Sequence, residues 1–332
     1  MNMKSIIIAI IFAVTTLTTA RAESQMNNRA SIGTSSCDAG WLWEISGNGL
    51  TQKSYLFGTC HGGRRSFTYD DVFGLRGVDE ALSSVKTIYF ETDLTVSKRL
   101  AAKEISIAEY LGCNNDSSEN DLMPEGVNYE SLFDSVAQYQ EVHQFLTQKM
   151  GDAEYWKKTP IYWLLHLSGY DLARGYYGIQ AVEGVLSMEA VRRGVEIGQL
   201  EDTKQHAQWV HRSRTKRQPI DASLKTQATL LYMGIHNIDN LMSPLYKISA
   251  AYLENDTCSI HDVLENLTKK STFSDKAALP ISAMNKAWLP VIEQSIAQRP
   301  CMIAIGCSHL LGSEGLIVLL RREGYTVEPV KK

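Results

Sequence analysis

No Cys-x-x-Cys pair, no Gly-x-Ser-x-Gly elbow and no Gly-x-x-x-x-Gly-Lys-Ser/Thr loop occurs in the 332 residues. These absences argue against a zinc ribbon or thioredoxin motif, a common serine hydrolase and a P-loop NTPase. Proline is scarce, at 8 residues, and the 23 glycines follow no triplet period, which excludes collagen-like and low-complexity chains. Charge of one sign is lacking too: Lys and Arg number 33 against 37 Asp and Glu, a formal net charge of −4. Without a basic excess there is no nucleic-acid footprint, and without an acidic block there is no solvating tail. What is plentiful is apolar: 44% of residues are hydrophobic and 21% charged, enough for a sizeable core in one large domain or two ordinary ones.

Long hydrophobic runs are missing beyond the first 22 residues. That segment opens with Lys4, is apolar from Ile6 to Val14, and closes on Ala20-Arg21-Ala22 ahead of Glu23. This three-part pattern is a secretory signal peptide with cleavage after Ala22. Cleavage takes away Lys4 and Arg21 and moves the formal charge from −4 to −6. No later window approaches the ~18 consecutive apolar residues of a membrane helix, so no span is expected after signal removal. A short, simple signal with no cysteine directly behind it points to the bacterial periplasm or to secretion. In an oxidising compartment, Cys37, Cys60, Cys113, Cys258, Cys301 and Cys307 read as disulfide partners ahead of thiolate chemistry. Nothing in the sequence sets an oligomeric state.

Residues 23–40 are polar and read as a mobile lead-in, and residues 41–330 read as one α/β domain. Trp41–Ile45 and Ser54–Phe57 flank a Gly47-Asn48-Gly49 turn and form a hairpin. One helix is expected over Asp70–Val85, from the spacing of Val72, Leu75, Val78, Leu82 and Val85. Thr87–Phe90 is a strand ending at Glu91. The middle, about 97–280, is mostly helical in pattern, with Ile161–Arg174, Glu183–Arg193 closed by Gly194, and Thr203–Arg217 as its clearest helices. Asn114–Asn120 reads as a loop, and Val195–Leu200 as a strand leading to Glu201. At the end come a helix over Asn285–Gln298, a buried strand over Met302–Ile305, a helix over Glu314–Glu323 capped by Ser313, and a last strand over Tyr325–Glu328. The fold implied is a mixed sheet built from N- and C-terminal strands with a largely helical middle insertion.

Two elements repeat one design: an apolar strand, then Gly-x-x-His, then small residues. They are Tyr55-Leu56-Phe57-Gly58-Thr59-Cys60-His61-Gly62 and Ile303-Ala304-Ile305-Gly306-Cys307-Ser308-His309. Composition alone yields roughly half a Gly-x-x-His by chance, so the weight lies in the repeated strand context. A glycine at a strand end lets backbone approach a ligand, and a histidine just beyond it stands at the rim of the sheet. Glu91, Glu183 and Glu201 are the candidate carboxylate partners. Two histidines with one or more carboxylates suit a divalent transition metal with open positions. His206 and His211, five apart, make a poor helical ligand pair. His166 and His236 read as satisfied histidines, and Arg212–Arg217 as a solvated face.

In order, these pieces resemble the TraB/GumN (PrgY, Tiki) family. The resemblance rests on Leu42-Trp43-Glu44-Ile45, the first His motif, Tyr89-Phe90-Glu91-Thr92-Asp93-Leu94, Val182-Glu183, Gly198-Gln199-Leu200-Glu201, Asn285-Lys286-Ala287-Trp288 and the second His motif through Gly312. It implies a divergent α/β fold with paired Gly-x-x-His motifs and an acidic residue. It also implies a metal-dependent hydrolase, a peptidase using Mn²⁺ or Co²⁺ with Zn²⁺ admitted, acting on a peptide or protein. By resemblance His61, His309 and Glu91 are the metal ligands. Glu91, Glu183 and Glu201 share the catalytic roles undivided. Two departures stand out: Met284 occupies the place of an Arg that usually precedes the Asn, and Ala181 that of a Gly. Arg64 or Arg65 is the candidate to replace the missing guanidinium, and a Cys60–Cys307 disulfide would link the two His motifs if they face one another. The loss of that Arg also fits an alternative, a non-catalytic protein that sequesters a peptide, a metal or haem.

Overall fold

The computed structural model describes residues 40–62, 65–94, 121–150, 154–167, 181–202, 205, 206, 209, 223–260 and 281–330. Arg64, the signal segment, Cys37, Cys113, Asn114–Asn120 and most of Thr203–Arg217 lie outside them.

Six strands form one mixed sheet: β1 Leu42–Gly47, β2 Ser54–Thr59, β3 Thr87–Phe90, β4 Glu196–Gln199, β5 Cys301–Gly306 and β6 Tyr325–Pro329, in the order β4-β3-β5-β2-β1-β6. β1 runs antiparallel to β2 and β6, whereas β2, β5, β3 and β4 are mutually parallel. The first and last strands are neighbours, with Ile45 opposite Val327. The expected architecture is therefore the observed one. β5 lies inside the parallel group and all six of its residues are buried. Its unbroken apolar run Met302–Ile305 is the signature of a strand covered on both faces.

The helices are α1 Tyr69–Phe73, α2 Val78–Ser84, α3 Val136–Met150, α4 Pro160–Leu167, α5 Val182–Arg193, α6 Leu224–His236, α7 Ile238–Leu253, α8 Ile281–Gln298 and α9 Leu316–Arg322. The single helix expected over Asp70–Val85 is two. Gly77 sits at φ 74°, a left-handed conformation that interrupts the helix, and Gly74 closes α1 so tightly that a Cβ there would meet the Asp70 carbonyl. Ser313 does not cap the last helix either. Gly315 is the N-cap of α9, where a Cβ would meet the Leu310 and Leu311 carbonyls, and the Glu314 carbonyl before it accepts Asn285 Nδ2 at 2.8 Å.

The apolar interior falls into two clusters. The larger joins the sheet to α2, α5, α8, α9 and the end of α7. The smaller is helical, with Tyr129, Tyr155, Trp163 and Leu231 at its centre. Tyr252, on α7, ties the middle of the chain to the sheet: its ring stacks on Trp41 and its hydroxyl donates to the Gly58 carbonyl at 2.8 Å.

α5 brings Glu183 to the sheet and is held at its far end by charge. Glu189 accepts Arg192 Nε at 2.7 Å and Arg193 Nε at 2.6 Å, while Arg193 also reaches Asp79 and Ser83 on α2. The Arg192 hydrogen bond outweighs desolvation and, with Arg193, lowers the Glu189 carboxyl from 4.5 to about 2. A folded pKa below the unfolded one means stability that is present above about pH 4.5 and lost as pH falls toward 2. Glu189→Gln is expected to cost about 1 kcal/mol at pH 7, after allowance for solvent screening. The deficit should shrink between pH 4.5 and about 2. Urea unfolding at pH 7 and pH 3 checks this, and a deficit independent of pH would contradict it.

Candidate functional site

The carboxyl ends of β2, β5, β3 and β4 gather the chemistry, the edge where open α/β sheets place their sites. Thr59 and Gly306 are cross-strand partners, so the two Gly-x-x-His motifs leave the sheet side by side. After β2 the chain runs through Cys60 to His61. After β5 it makes a 3-10 turn, Cys307–His309. Glu91 follows β3 directly. Glu201 follows β4, its N–H donating to the Glu91 carbonyl at 3.1 Å. The N-terminus of α5 meets β2's end, with Val182 N–H donating to the Cys60 carbonyl at 3.2 Å. Glu183 thus lies in a helix first turn, where the helix dipole favours an anion.

Each motif histidine is held through Nδ1. His61 Nδ1 lies 2.5 Å from Glu183 Oε1, an oxygen that also accepts the Thr59 hydroxyl at 2.6 Å. His309 Nδ1 lies 2.7 Å from Asn285 Oδ1. The Asn285 amide cannot be turned round, because its Nδ2 donates to the carbonyls of His309 and Glu314 at 3.1 and 2.8 Å. Its oxygen must therefore face the ring, and His309 Nδ1 must be the donor. Trp288 packs its ring 4.6 Å from the His309 ring and holds it on the other side. With both Nδ1 atoms as donors, each ring in its neutral form carries its lone pair on Nε2.

Both Nε2 atoms point at one carboxylate oxygen. Glu91 Oε1 is 3.7 Å from His61 Nε2 and 3.8 Å from His309 Nε2, and accepts the Gly306 N–H at 2.6 Å. A Cβ on Gly306 would stand 2.6 Å from His61 Nε2 and 3.1 Å from Glu91 Oε1, so only glycine lets the two motifs and Glu91 converge. Burial opposes ionisation of Glu91, but His309, His61, His206 and the Gly306 N–H together outweigh it and hold the carboxyl below its ordinary value. Burial lowers the His309 pKa, against the pull of Glu91.

The structure therefore brings His61, His309, Glu91 and Glu183 together and sets Glu201 one strand away. Glu201 accepts His206 Nδ1 at 2.8 Å and Trp209 Nε1 at 3.0 Å. His206, set aside on its spacing from His211, is the partner of that strand-end carboxylate. The signal that could have found it is its position five residues beyond a strand-end glutamate, not its distance from another histidine. Asn285, Thr59 and Trp288 were likewise unassigned. His236 pairs with Glu141 on an exposed surface, away from the sheet edge.

Other expectations are corrected. Cys60 and Cys307 remain buried thiols, so no disulfide joins the motifs, and Cys301 is a buried thiol as well. Burial pushes Cys301 up to about 11 and Cys307 well above its ordinary value, which makes both thiols inert at neutral pH. Cys258 is disulfide-bonded. Arg65 does not replace the missing Arg: it forms a two-pronged ion pair with Asp71, inside the capping box at the start of α1. Met284 is buried in the main core. Among the described residues no group of three or more His, Cys, Asp or Glu is spaced to grip an ion as it stands, and no helix is long and apolar enough to cross a membrane.

A mixed α/β sheet whose parallel strands end in a shared histidine–carboxylate cluster defines the class of protein. The chain belongs to the TraB/PrgY/gumN family, whose sequence model matches residues 41–329. No curated protein and no solved structure matches the chain significantly.

Gly306→Ala is expected to destabilise the fold by about 1–3 kcal/mol through overpacking. It should also move the His61 imidazole off Glu183. The urea midpoint and the His61 ring signals in NMR report the two effects. A wild-type midpoint with unmoved His61 signals would contradict the close approach.

Proposed function

We propose that the protein is an exported, metal-dependent hydrolase of its family, acting on peptide bonds in the bacterial periplasm or outside the cell. One observation carries the reading: two ring nitrogens with lone pairs and a carboxylate oxygen face one another at 3.7 and 3.8 Å. With both rings neutral, three electron-rich atoms meet in a largely buried place, and a divalent cation among them would relieve their repulsion. The donor chemistry of two imidazoles and a carboxylate suits Mn²⁺, Co²⁺ or Zn²⁺. Carboxylate and amide partners behind the rings are the usual support of metal-binding histidines. The signal-like first 22 residues support export.

His61 and His309 would hold the ion through Nε2 and Glu91 through Oε1. A bound divalent ion supplies Lewis acidity and lowers the pKa of its water from ~15.7 to ~7. Glu91 Oε2 takes the proton of the attacking water and returns it to the leaving amine. Glu183 and Glu201 orient imidazoles, which divides the three carboxylates into one that reacts and two that position. Burial of Met284 favours a second reading, because α8 offers no cation at that place to bind substrate or a developing oxyanion. On that reading the same cleft holds a peptide or metal without turnover.

Metal analysis of the folded protein is expected to find about one transition-metal ion per chain, lost in His61→Ala and in His309→Ala. Peptide cleavage should stop on chelation and return with Mn²⁺ or Co²⁺. Metal uptake without cleavage of any peptide library would favour the sequestering reading. Wild-type protein that takes up none of the three ions would overturn both metal-based readings.

A further inference from the structure

We propose that Tyr252 is a positioning residue of the site: its hydroxyl fixes the backbone from which His61 reaches the metal. This rests on the metal-centre reading above and extends it to the helical middle of the chain, outside both Gly-x-x-His motifs.

The first motif begins where the register of the hairpin ends. β1 starts at Leu42, opposite Phe57. One residue further along β2, the Gly58 N–H donates to the Trp41 carbonyl at 2.8 Å, and the Gly58 carbonyl accepts the Tyr252 hydroxyl at 2.8 Å. The second of these bonds is buried and joins residues 194 apart in the chain. From Gly58 to His61 the path is then pinned step by step. Thr59 lies opposite Gly306 across the sheet, and the Cys60 carbonyl accepts the Val182 N–H at 3.2 Å. His61 Nδ1 meets Glu183, the residue after Val182. Without the Tyr252 hydroxyl, the first pin would be a buried carbonyl lacking that donor, and the root of the motif would be free to shift. Binding constellations hold to about 0.5 Å, so a small shift at Gly58 reaches the imidazole.

Tyr252 is itself fixed on several sides, so its hydroxyl has one direction. The ring stacks on Trp41 with centroids 5.1 Å apart and meets Phe67 edge-to-face at 5.8 Å, while the Tyr252 carbonyl accepts the Trp41 indole N–H at 3.0 Å. Burial pushes the phenol pKa well above its ordinary value, which keeps the group an O–H donor. The helix that carries it spans both apolar clusters. α7 starts at Ile238, packed against the smaller cluster, and closes with Ile248, Ala251 and Tyr252 in the larger one. Its 16 residues make a rod of about 24 Å. The rod ties the packing of the helical middle to the root of the first motif. Tyr155, a buried tyrosine of the smaller cluster, spends its hydroxyl on His143 Nδ1 at 2.7 Å instead, and serves as the control.

The test uses the full-length mature protein with ¹⁵N-labelled histidine, and Tyr252→Phe, which keeps the ring and removes only the hydroxyl. In the metal-free variant the His61 ring signals are expected to move and those of His309 to stay. Co²⁺ titration by calorimetry should show binding weakened by about 10-fold. Tyr155→Phe also removes a buried hydroxyl bond, and lowers the urea midpoint while leaving the His61 signals and the Co²⁺ affinity unchanged. Should Tyr252→Phe not fold, Trp41→Phe loosens the seat of Tyr252 and is expected to move the His61 signals in the same way, by less. Unmoved His61 signals, a His309 response as large as that of His61, or wild-type Co²⁺ affinity would overturn the proposal, leaving the hydroxyl a support of the fold alone. Wild-type protein that binds no Co²⁺ would count against the metal centre instead, and the ring signals would then decide whether Tyr252 positions His61.

Discussion

The hydrogen bond from the Gly306 N–H to Glu91 Oε1 is the contact on which the site depends. It joins the end of the innermost parallel strand to the residue just beyond its neighbour. Because Gly306 has no side chain, His61 from the strand on the other side enters the same space. Three strand ends therefore converge on one oxygen atom. Strand order does the rest: with β5 between β3 and β2, a residue leaving any of the three meets residues leaving the other two.

Around that oxygen the chain spends buried polar groups on orientation. Glu183, Glu201 and Asn285 each hold an imidazole by its Nδ1, and each is itself held, by Thr59, by Trp209, and by Asn285's two bonds to backbone carbonyls. A buried carboxylate or amide left unpaired costs a few kcal/mol, so such a layer persists only where its members satisfy one another. The result is a set of rings that cannot turn and whose outward nitrogens are electron-rich. α5 and α8 supply two of the three anchors. Their own seating, Glu189 with the arginines on α5 and the Trp288 packing on α8, is part of how the site keeps its shape.

Much of the fold was legible in the sequence because its signals are local. Alternating and continuous apolar runs marked all six strands to within a residue or two, and Gly194 ended α5 where expected. Errors arose where a local signal competed with packing. The apolar spacing over Asp70–Val85 looked like one helix, yet Gly74 and Gly77 break it. Ser313 resembled a cap, but Gly315 takes the position, where the Leu310 and Leu311 carbonyls leave no room for a side chain. The paired His motifs suggested a Cys60–Cys307 disulfide if they faced one another; they leave the sheet side by side, yet both cysteines are buried thiols.

The sequence by itself determined the strands and helices that make the class of fold, the two Gly-x-x-His motifs, and Glu91 as one of three candidate carboxylates, since each signal is local. Only the tertiary structure decided which group faces which ring nitrogen. His61 finds its partner on a helix more than a hundred residues later, and His309 finds its own on α8. Those pairings follow from strand order and from where helices cross the sheet edge. Such relations hold between distant segments, and no local spacing encodes them.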